Sequence, residues 1–263
     1  MTNTRIINPW ISHSKPNTNA KLRLFCFPYA GGGASIFSSW SESLTSDIEI
    51  CPLELPGHGY RIAERPFNRL KPLVNELACA LLPYLNKPFA FFGHSMGGLV
   101  SFELAHLFCQ CYGLSPIHLF VSGRRAPQVP ESKPPIHHLP EPEFLNELGR
   151  LNGTPKAVLE DTELMELFLP VLRADFAAIE TYVYTPKPSL NCPITVLGGL
   201  QDYEISCEDL EAWREHTNAS FSMQMFQGDH FFINSNQTTL LQFLDRELQT
   251  MVGRINTNDV NSQ

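Results

Sequence analysis

Six short apolar segments recur along this chain, and their spacing constrains its fold more than any other feature. They cover residues 22–27, 48–55, 89–93, 118–123, 194–199 and 220–226. Their hydrophobicity is continuous rather than alternating, which is typical of strands buried on both faces. Helical patterns lie between them, at about 70–86, 97–111, 206–216 and 237–251. This alternation predicts an α/β fold with a mostly parallel central sheet and helices on both of its faces.

The alternation is interrupted once, between Gly123 and Ile194, where about 70 residues intervene. A simple crossover between parallel strands needs only about a dozen. The segment opens with several prolines and then has helical patterns over 141–151 and from about 161 to 184. A helical insertion at the ligand-binding end of such a sheet predicts a lid, at about 127–188. A packed accessory subdomain without a gating role is the alternative.

The two ends of the chain differ in composition from the region between them. Residues 1–20 are polar, and Trp10 is the residue there that we expect to pack on the protein body. Residues 253–263 are polar and rich in Asn, so we expect a disordered tail. A single domain, residues 21–252 with the lid as an insertion, accounts for the remainder.

Charge and cysteine content narrow the class of protein. Lys plus Arg number 19 and Asp plus Glu 27, and the net charge of −8 disfavours nucleic acid as a partner. No stretch approaches the ~18 apolar residues that would predict a membrane span, and no secretory signal is recognisable. The odd count of 7 cysteines favours reduced thiols and a cytoplasmic protein. Neither CxxC nor HExxH occurs, so we expect no metal site.

The segment 93–97, Gly-His-Ser-Met-Gly, is a G-x-S-x-G motif. An apolar strand pattern precedes Gly93, and an amphipathic helix pattern follows Ser95, which is the strand–turn–helix setting that this motif requires. The glycines allow close backbone approach while Ser95 takes a strained conformation with its hydroxyl exposed. The motif therefore predicts a nucleophilic serine, Ser95; an ordinary Ser-Gly turn is the alternative.

A nucleophilic serine needs a base, and the base needs an orienting carboxylate. With the chain order serine, acid, histidine, His230 is the candidate base, because it follows the last predicted strand and precedes the terminal helix. Asp202, in the loop after the strand at 194–199, is the candidate acid. Glu204 is the competing carboxylate, and Asp229 is interpreted as a turn residue.

Two N–H donors are needed for a developing oxyanion. The backbone N–H of Met96, at the start of the predicted helix, is one candidate. The loop after the first strand supplies the other, for which we select the N–H of Ala30, next to the glycines at 31–33. A phosphate-cradling loop is the alternative, but neither G-x-G-x-x-G nor a P-loop motif occurs.

Together, these motifs identify a family resemblance. FPYAGGGAS, ELPGHGYR, GHSMGGLVSFELA, LRADFAAIETY, GGLQDYEIS and GDHFFI resemble segments of the type II thioesterases of nonribosomal peptide and polyketide synthesis, over about Leu22 to Leu248. The resemblance implies the α/β-hydrolase fold, with Ser95, Asp202 and His230 as nucleophile, acid and base. It also implies an oxyanion hole at Ala30 and Met96, and no cofactor or metal. Tyr29 and His58 depart from common family forms, where His and Arg are frequent.

The resemblance further implies a partner, an acyl carrier or peptidyl carrier protein whose phosphopantetheine arm bears a stalled acyl group. A monomeric enzyme without a membrane or nucleic-acid partner is expected. Because such carriers tend to be acidic, docking would need a local basic patch. The candidates are Arg61, Arg65, Arg69 and Lys71 in one patch and Arg124 with Arg125 in another. The alternatives are a carboxylesterase or lipase-like hydrolase of free esters, an acyltransferase, and a non-catalytic binding module.

Overall fold

The computed structural model describes residues 8–12, 16–154 and 156–260, and six parallel strands form its central sheet. The strands are β1 Leu22–Phe27, β2 Ile48–Pro52, β3 Phe89–His94, β4 His118–Ser122, β5 Ile194–Gly199 and β6 Phe221–Phe226. Their order is β2-β1-β3-β4-β5-β6, and every neighbouring pair is parallel. The predicted α/β fold with a mostly parallel sheet is confirmed.

Helices cover both faces of the sheet. They are α1 Trp40–Ser43, α2 Leu70–Leu81, α3 Met96–Tyr112, α4 Glu141–Leu151, α5 Lys156–Leu159, α6 Thr162–Glu180, α7 Cys207–Glu211, α8 Phe232–Ser235 and α9 Gln237–Val260. Side chains of β1 alternate between two cores, because Phe25 and Phe27 pack with α2 and α3 whereas Leu24 and Cys26 pack with α9. No helix of the described residues is long and apolar enough to cross a membrane.

The order of the strands determines where a site can form. The first strand, β1, lies next to one edge of the sheet, with β2 outside it at that edge and β3 to β6 following on its other side. Such a reversal opens a crevice at the carboxyl ends of the strands, which is where ligands bind in sheets of this kind. β3, the neighbour of β1, ends at this crevice, and Ser95 follows it directly.

The insertion between β4 and β5 contains α4, α5 and α6, and it has a small core of its own. Phe144, Leu148, Met165 and Leu172 are buried together in this core. The side chain of Asp161 caps α6, since its Oδ1 accepts a hydrogen bond from the Leu164 N–H at 3.1 Å. Leu172 and Phe176 on α6 also line a cavity that reaches Ser95. The insertion therefore covers the crevice.

The expectation of a disordered tail from residue 253 is wrong as far as residue 260. Helix α9 continues to Val260, well past the last residue of the predicted pattern. Met251 and Val252 are buried, and Ile255 is half-buried against the same core, so the apolar stripe of the helix extends beyond position 252. Residues 261–263 lie outside the described part. Near the other end of the chain, Trp10 packs on the body of the protein as expected. The Arg61 guanidinium lies over its ring, with Cζ 4.4 Å from the ring centroid of Trp10.

Buried histidines make the stability of this fold sensitive to acid. Burial lowers the pKa of His106, His118 and His216 to about 4 each. In the unfolded chain their pKa is about 6.5, so below that pH the unfolded state binds more protons than the folded state.

We therefore expect these three histidines to lower the free energy of unfolding as pH drops from about 6.5 to about 4, with a combined contribution of up to about 4 kcal/mol per pH unit. Urea unfolding at several pH values measures this slope. His118→Gln, which can still bond Thr195, should reduce the slope by about 1.4 kcal/mol per pH unit. An unchanged slope in this variant would show that His118 titrates normally.

Candidate active site

Ser95 occupies a sharp turn between β3 and α3. Its φ of 52° and ψ of −114° are strained for a residue with a side chain. A Cβ at Gly93 would overlap the carbonyl of Gly97, and a Cβ at Gly97 would overlap the carbonyl of Phe27. Both glycines of the motif are therefore sterically required, and the predicted strand–turn–helix setting is the one observed.

Gly97→Ala tests this requirement through stability. We expect a loss of about 3 kcal/mol in the free energy of unfolding, because the new Cβ meets rigid backbone rather than a movable side chain. Gly253→Ala is the matched control, since nothing lies within 4 Å of a Cβ there and alanine favours a helix. Denaturant melts compare the two; equal stability of the two variants would contradict the steric reading.

Ser95, Asp202 and His230 meet at the carboxyl ends of the strands. His230 Nε2 lies 3.0 Å from Ser95 Oγ, and His230 Nδ1 lies 2.8 Å from Asp202 Oδ2. An ionised carboxylate can only accept, so Nδ1 carries the proton and Nε2 is free to accept from the serine hydroxyl. The structure thus brings the three predicted residues into one hydrogen-bonded chain, in the orientation that a serine nucleophile requires.

Two further contacts fix the carboxylate of Asp202. Its Oδ1 accepts hydrogen bonds from the backbone N–H of Glu204 at 2.8 Å and of Ile205 at 3.3 Å. The side chain is only 2% exposed, so it is held as a buried acceptor. The competing carboxylates point elsewhere, since Glu204 pairs with Lys133 and Asp229 accepts from the Phe231 N–H of its own turn.

His94 packs directly behind the base, and sequence reasoning did not single it out. Its Nδ1 lies 2.8 Å from Ser122 Oγ, and its ring centroid lies 5.3 Å from that of His230. Burial, together with the charge that His230 can carry, holds the pKa of His94 well below its usual range. A neutral ring in this position supports His230 without competing for its proton.

The N–H groups of Ala30 and Met96 have no acceptor among the described residues, although their neighbours do. Gly32 N donates to Tyr29 O at 2.9 Å, and Gly31 N donates to Asp175 Oδ2 at 2.7 Å. Ala30 lines the same cavity as Ser95, and Met96 begins helix α3. Two backbone donors therefore remain available at the expected positions, at a helix N-terminus and in the loop after β1.

Asp175, on helix α6 of the insertion, links the loop of Ala30 to the loop of His58. The same Oδ2 that accepts from Gly31 lies 2.9 Å from His58 Nε2, and both side chains are buried. Burial alone would lower the pKa of His58, but the adjacent Asp175 carboxylate outweighs it and raises the pKa. Both residues lie in the resembling motifs, yet nothing in the spacing of the sequence indicated that they meet.

Asp175→Asn is expected to lower kcat about 10-fold, because the loop that carries the Ala30 N–H loses its charged anchor. The effect on stability should depend on pH. A raised pKa at His58 stabilises the fold fully below its unfolded pKa of about 6.5, and this contribution is lost as pH rises through the folded pKa. The variant should lack it, so its free energy of unfolding at pH 6, taken relative to that at pH 9, should be lower than in the wild type. A kcat equal to that of the wild type would contradict the positioning role.

A cavity of about 160 Å³ extends from Ser95 to the insertion between β4 and β5. Its apolar wall includes Tyr29, Leu172, Phe176, Ile179 and Phe231. Charged side chains, Arg124 among them, complete the lining on the side of the insertion. An apolar chamber with a few polar groups next to a nucleophile suits an acyl group held for transfer.

The two basic patches expected from the sequence are only partly available. Arg61 is buried and paired with Glu64, and Arg125 is buried and donates to the carbonyls of Pro130 and Glu204. These two arginines are structural, because their stems and charges are already used within the chain. Three cations of the first patch remain exposed: Arg65, Arg69 and Lys71.

Fold and site together define a serine hydrolase of the α/β-hydrolase class. The model of the thioesterase domain family matches residues 22–248, and the chain belongs to the thioesterase family. The predicted resemblance and the enzyme class are thereby confirmed.

Relatives and a solved structure agree with this assignment. The chain is 48% identical to linear gramicidin dehydrogenase LgrE of Brevibacillus parabrevis, over 92% of this chain and 93% of that protein. It is 46% identical to gramicidin S biosynthesis protein GrsT of Aneurinibacillus migulanus, over 96% and 98%. The type II thioesterase BorB, from the borrelidin biosynthetic cluster, superposes with a TM-score of 0.83 at 35% identity, covering 91% of this chain and 98% of BorB.

Proposed function

We propose that this thioesterase removes acyl groups from the phosphopantetheine arms of carrier proteins, through an acyl intermediate on Ser95. The observation that carries the proposal is the hydrogen-bonded chain from Ser95 Oγ through His230 to Asp202. Ser95 and His230 line a cavity of about 160 Å³ that has room for an acyl group. Neither a metal nor an organic cofactor is needed for this chemistry, and the described residues include no group of three side chains that could hold a metal.

In the first step, His230 Nε2 takes the proton of Ser95 as Oγ attacks the thioester carbonyl. The carbonyl oxygen becomes an oxyanion, which the N–H groups of Ala30 and Met96 stabilise. The C–S bond then breaks, and the thiol leaves with the proton from His230. A thiol of pKa about 8.5 is a good leaving group, so this step needs less protonation than release of an amine.

In the second step, water replaces the thiol. His230 removes a proton from the water, which attacks the acyl-serine carbonyl, and Ser95 leaves with that proton. The carboxylate of Asp202 stabilises the positively charged imidazole in both steps. The products are a free acid and a carrier with an unloaded arm.

The relatives support a carrier protein as partner, since they include a gramicidin S biosynthesis protein and a type II thioesterase from the borrelidin biosynthetic cluster. The exposed cations Arg65, Arg69 and Lys71 lie in and just after the loop that precedes α2 and are the proposed docking surface for an acidic carrier. The proposal includes a monomeric enzyme in the cytoplasm, the compartment in which its free cysteines stay reduced.

One relative carries the name of a dehydrogenase, but the glycine-rich loop here is unsuited to a dinucleotide. Two N–H groups of this segment already donate to carboxylates of the chain itself, Gly31 to Asp175 and Ala34 to Glu54 at 3.2 Å. Two negative charges in this place would repel a pyrophosphate. The same observation disfavours a phosphate-cradling loop.

Comparing acyl-pantetheine with the matched oxygen ester distinguishes the proposed function from an esterase. We expect a higher kcat/KM for the thioester, and an oxygen-ester preference would contradict the proposal.

Reversing the charges of Arg65, Arg69 and Lys71 to Glu should raise KM for acyl-carrier but not for acyl-pantetheine. An equal KM for acyl-carrier in the wild type and the variant would show that these three cations do not bind the carrier.

A further inference from the structure

We propose that Arg124 binds the substrate directly, by donating hydrogen bonds to a carboxylate or carbonyl oxygen inside the cavity. The inference deepens the proposed thioesterase function and rests on it. It arises from the polar lining of the cavity rather than from the groups that perform the acyl transfer.

The backbone holds Arg124 close to the reacting groups. It follows Gly123 at the end of β4, where a Cβ would come within 2.9 Å of the His94 ring and 3.4 Å of the His230 ring. The Arg124 Cβ lies over Gly98, in the first turn of α3. Trp213 Nε1 donates to the Arg124 carbonyl at 2.7 Å, which fixes the main chain. The side chain of Arg124 therefore leaves the backbone next to His230.

The charges around the cavity are paired, with one exception among the described residues. Arg125 pairs with Glu131 at 2.9 Å, Lys133 with Glu204, and Arg150 with Glu147 at 2.9 Å. Arg124 lines the same cavity, yet none of its nitrogens lies within 4.0 Å of a carboxylate or donates a hydrogen bond to a described residue. Its Nε is buried without any partner.

An unpaired guanidinium in this position stays charged. Burial lowers its pKa to about 10, which still leaves it protonated at neutral pH. A buried donor without a partner, such as Arg124 Nε, is costly, and an oxygen acceptor that enters the cavity would offset that cost. The planar fork of a guanidinium fits two oxygens at once, so a carboxylate or two neighbouring carbonyls suit it best.

Two parts of a carrier-bound substrate contain such oxygens. One is the acyl group itself, where it bears a carboxylate or a further carbonyl. The other is the pantetheine arm, whose two amides each present a carbonyl oxygen. Both offer the same chemistry to Arg124, and a substrate series that varies the two parts independently separates them.

The test uses Arg124→Met, which keeps an apolar stem without charge, on acetyl and malonyl thioesters of pantetheine and of ethanethiol. If the acyl oxygen is the ligand, kcat/KM should fall about 10- to 100-fold for both malonyl substrates and less than about 3-fold for both acetyl ones. If the arm is the ligand, kcat/KM should fall by the same factor for both pantetheine thioesters and should change less than about 3-fold for both ethanethiol thioesters. A fall in kcat/KM that depends on both the malonyl group and the pantetheine arm also supports the proposal.

Three comparisons guard against a merely structural effect. Arg124→Lys should recover part of the loss, because it restores the charge without the fork. Arg214→Met, at an exposed arginine paired with Glu211, should leave kcat/KM unchanged for all four thioesters. The rate at which a small neutral fluorophosphonate labels Ser95 should stay unchanged in Arg124→Met, since that probe carries neither part of the substrate.

An equal loss on all four substrates, or no loss on any, would overturn the proposal. Binding of malonyl-pantetheine, measured by calorimetry in Ser95→Ala with and without Arg124→Met, gives the same test without turnover. The paired affinities should then differ by about the factor seen in kcat/KM. Wild-type inactivity on every thioester would instead count against the proposed function, and equal affinities would still count against Arg124 alone.

Discussion

Ser95→Ala is expected to lower kcat for thioester hydrolysis by about 10³-fold or more, because removing the nucleophile leaves only substrate binding and the oxyanion donors. Initial rates with acyl-pantetheine, followed by release of thiol, measure the loss. The fold should be retained, since the hydroxyl makes one hydrogen bond, to His230, and packs in no core. If the variant keeps more than about a tenth of the wild-type kcat, Ser95 is not the nucleophile.

A second substitution at the same position separates chemistry from backbone strain. Ser95→Gly loses the same hydroxyl, but glycine accepts a φ of 52° without strain. Relief of about 1–3 kcal/mol of strain, less about 0.4–1 kcal/mol from the freer unfolded chain, should make it about 1 kcal/mol more stable than Ser95→Ala. Equal stability of the two variants would mean that the turn stores no strain at this residue.

Asp202→Asn should lower kcat by about 10³- to 10⁴-fold. The amide can donate to His230 Nδ1, which favours the tautomer with the proton on Nε2, and that tautomer cannot accept the proton of Ser95. The amide also lacks the charge that stabilises the imidazolium. The pH dependence of kcat, measured with one acyl-pantetheine from pH 5 to 10, should show the loss at every pH at which the enzyme stays folded.

Glu204→Gln is the matched control for this prediction. Glu204 lies two residues further along the same loop, but its carboxylate pairs with Lys133 at the surface of the insertion. Losing a partly exposed ion pair costs about 1 kcal/mol or less, and kcat should change little. A larger loss of kcat in Glu204→Gln than in Asp202→Asn would exchange the roles that we assign to the two residues.

The sheet could be predicted from the sequence because its strands are buried on both faces. Segments such as LRLFCF at 22–27 and ITVLGG at 194–199 are apolar at nearly every position, and the structure has strands with those bounds. The serine, the acid and the histidine were likewise predictable, since each follows a strand and parallel strands end at one edge. Local patterns suffice where chain order determines position.

Contacts between distant segments could not be predicted in this way. Asp175 lies 144 residues from Gly31 and 117 from His58, and no periodicity relates the three. Arg124 and Arg125 are adjacent and alike in sequence, yet the second pairs with Glu131 and donates to two carbonyls, whereas the side chain of the first has no partner among the described residues. Such differences depend on how the insertion packs over the crevice, which pattern and propensity do not determine.

Rapid mixing of the enzyme with an acyl-loaded carrier, followed by acid quench and intact-mass analysis of both proteins, observes the acyl transfer itself. We predict that the carrier returns to the mass of its unloaded form and that the enzyme transiently gains the mass of the acyl group. Peptide mapping should locate that mass on Ser95, and Ser95→Ala should leave the carrier loaded. Unloading by Ser95→Ala at the wild-type rate would contradict an acyl-serine mechanism.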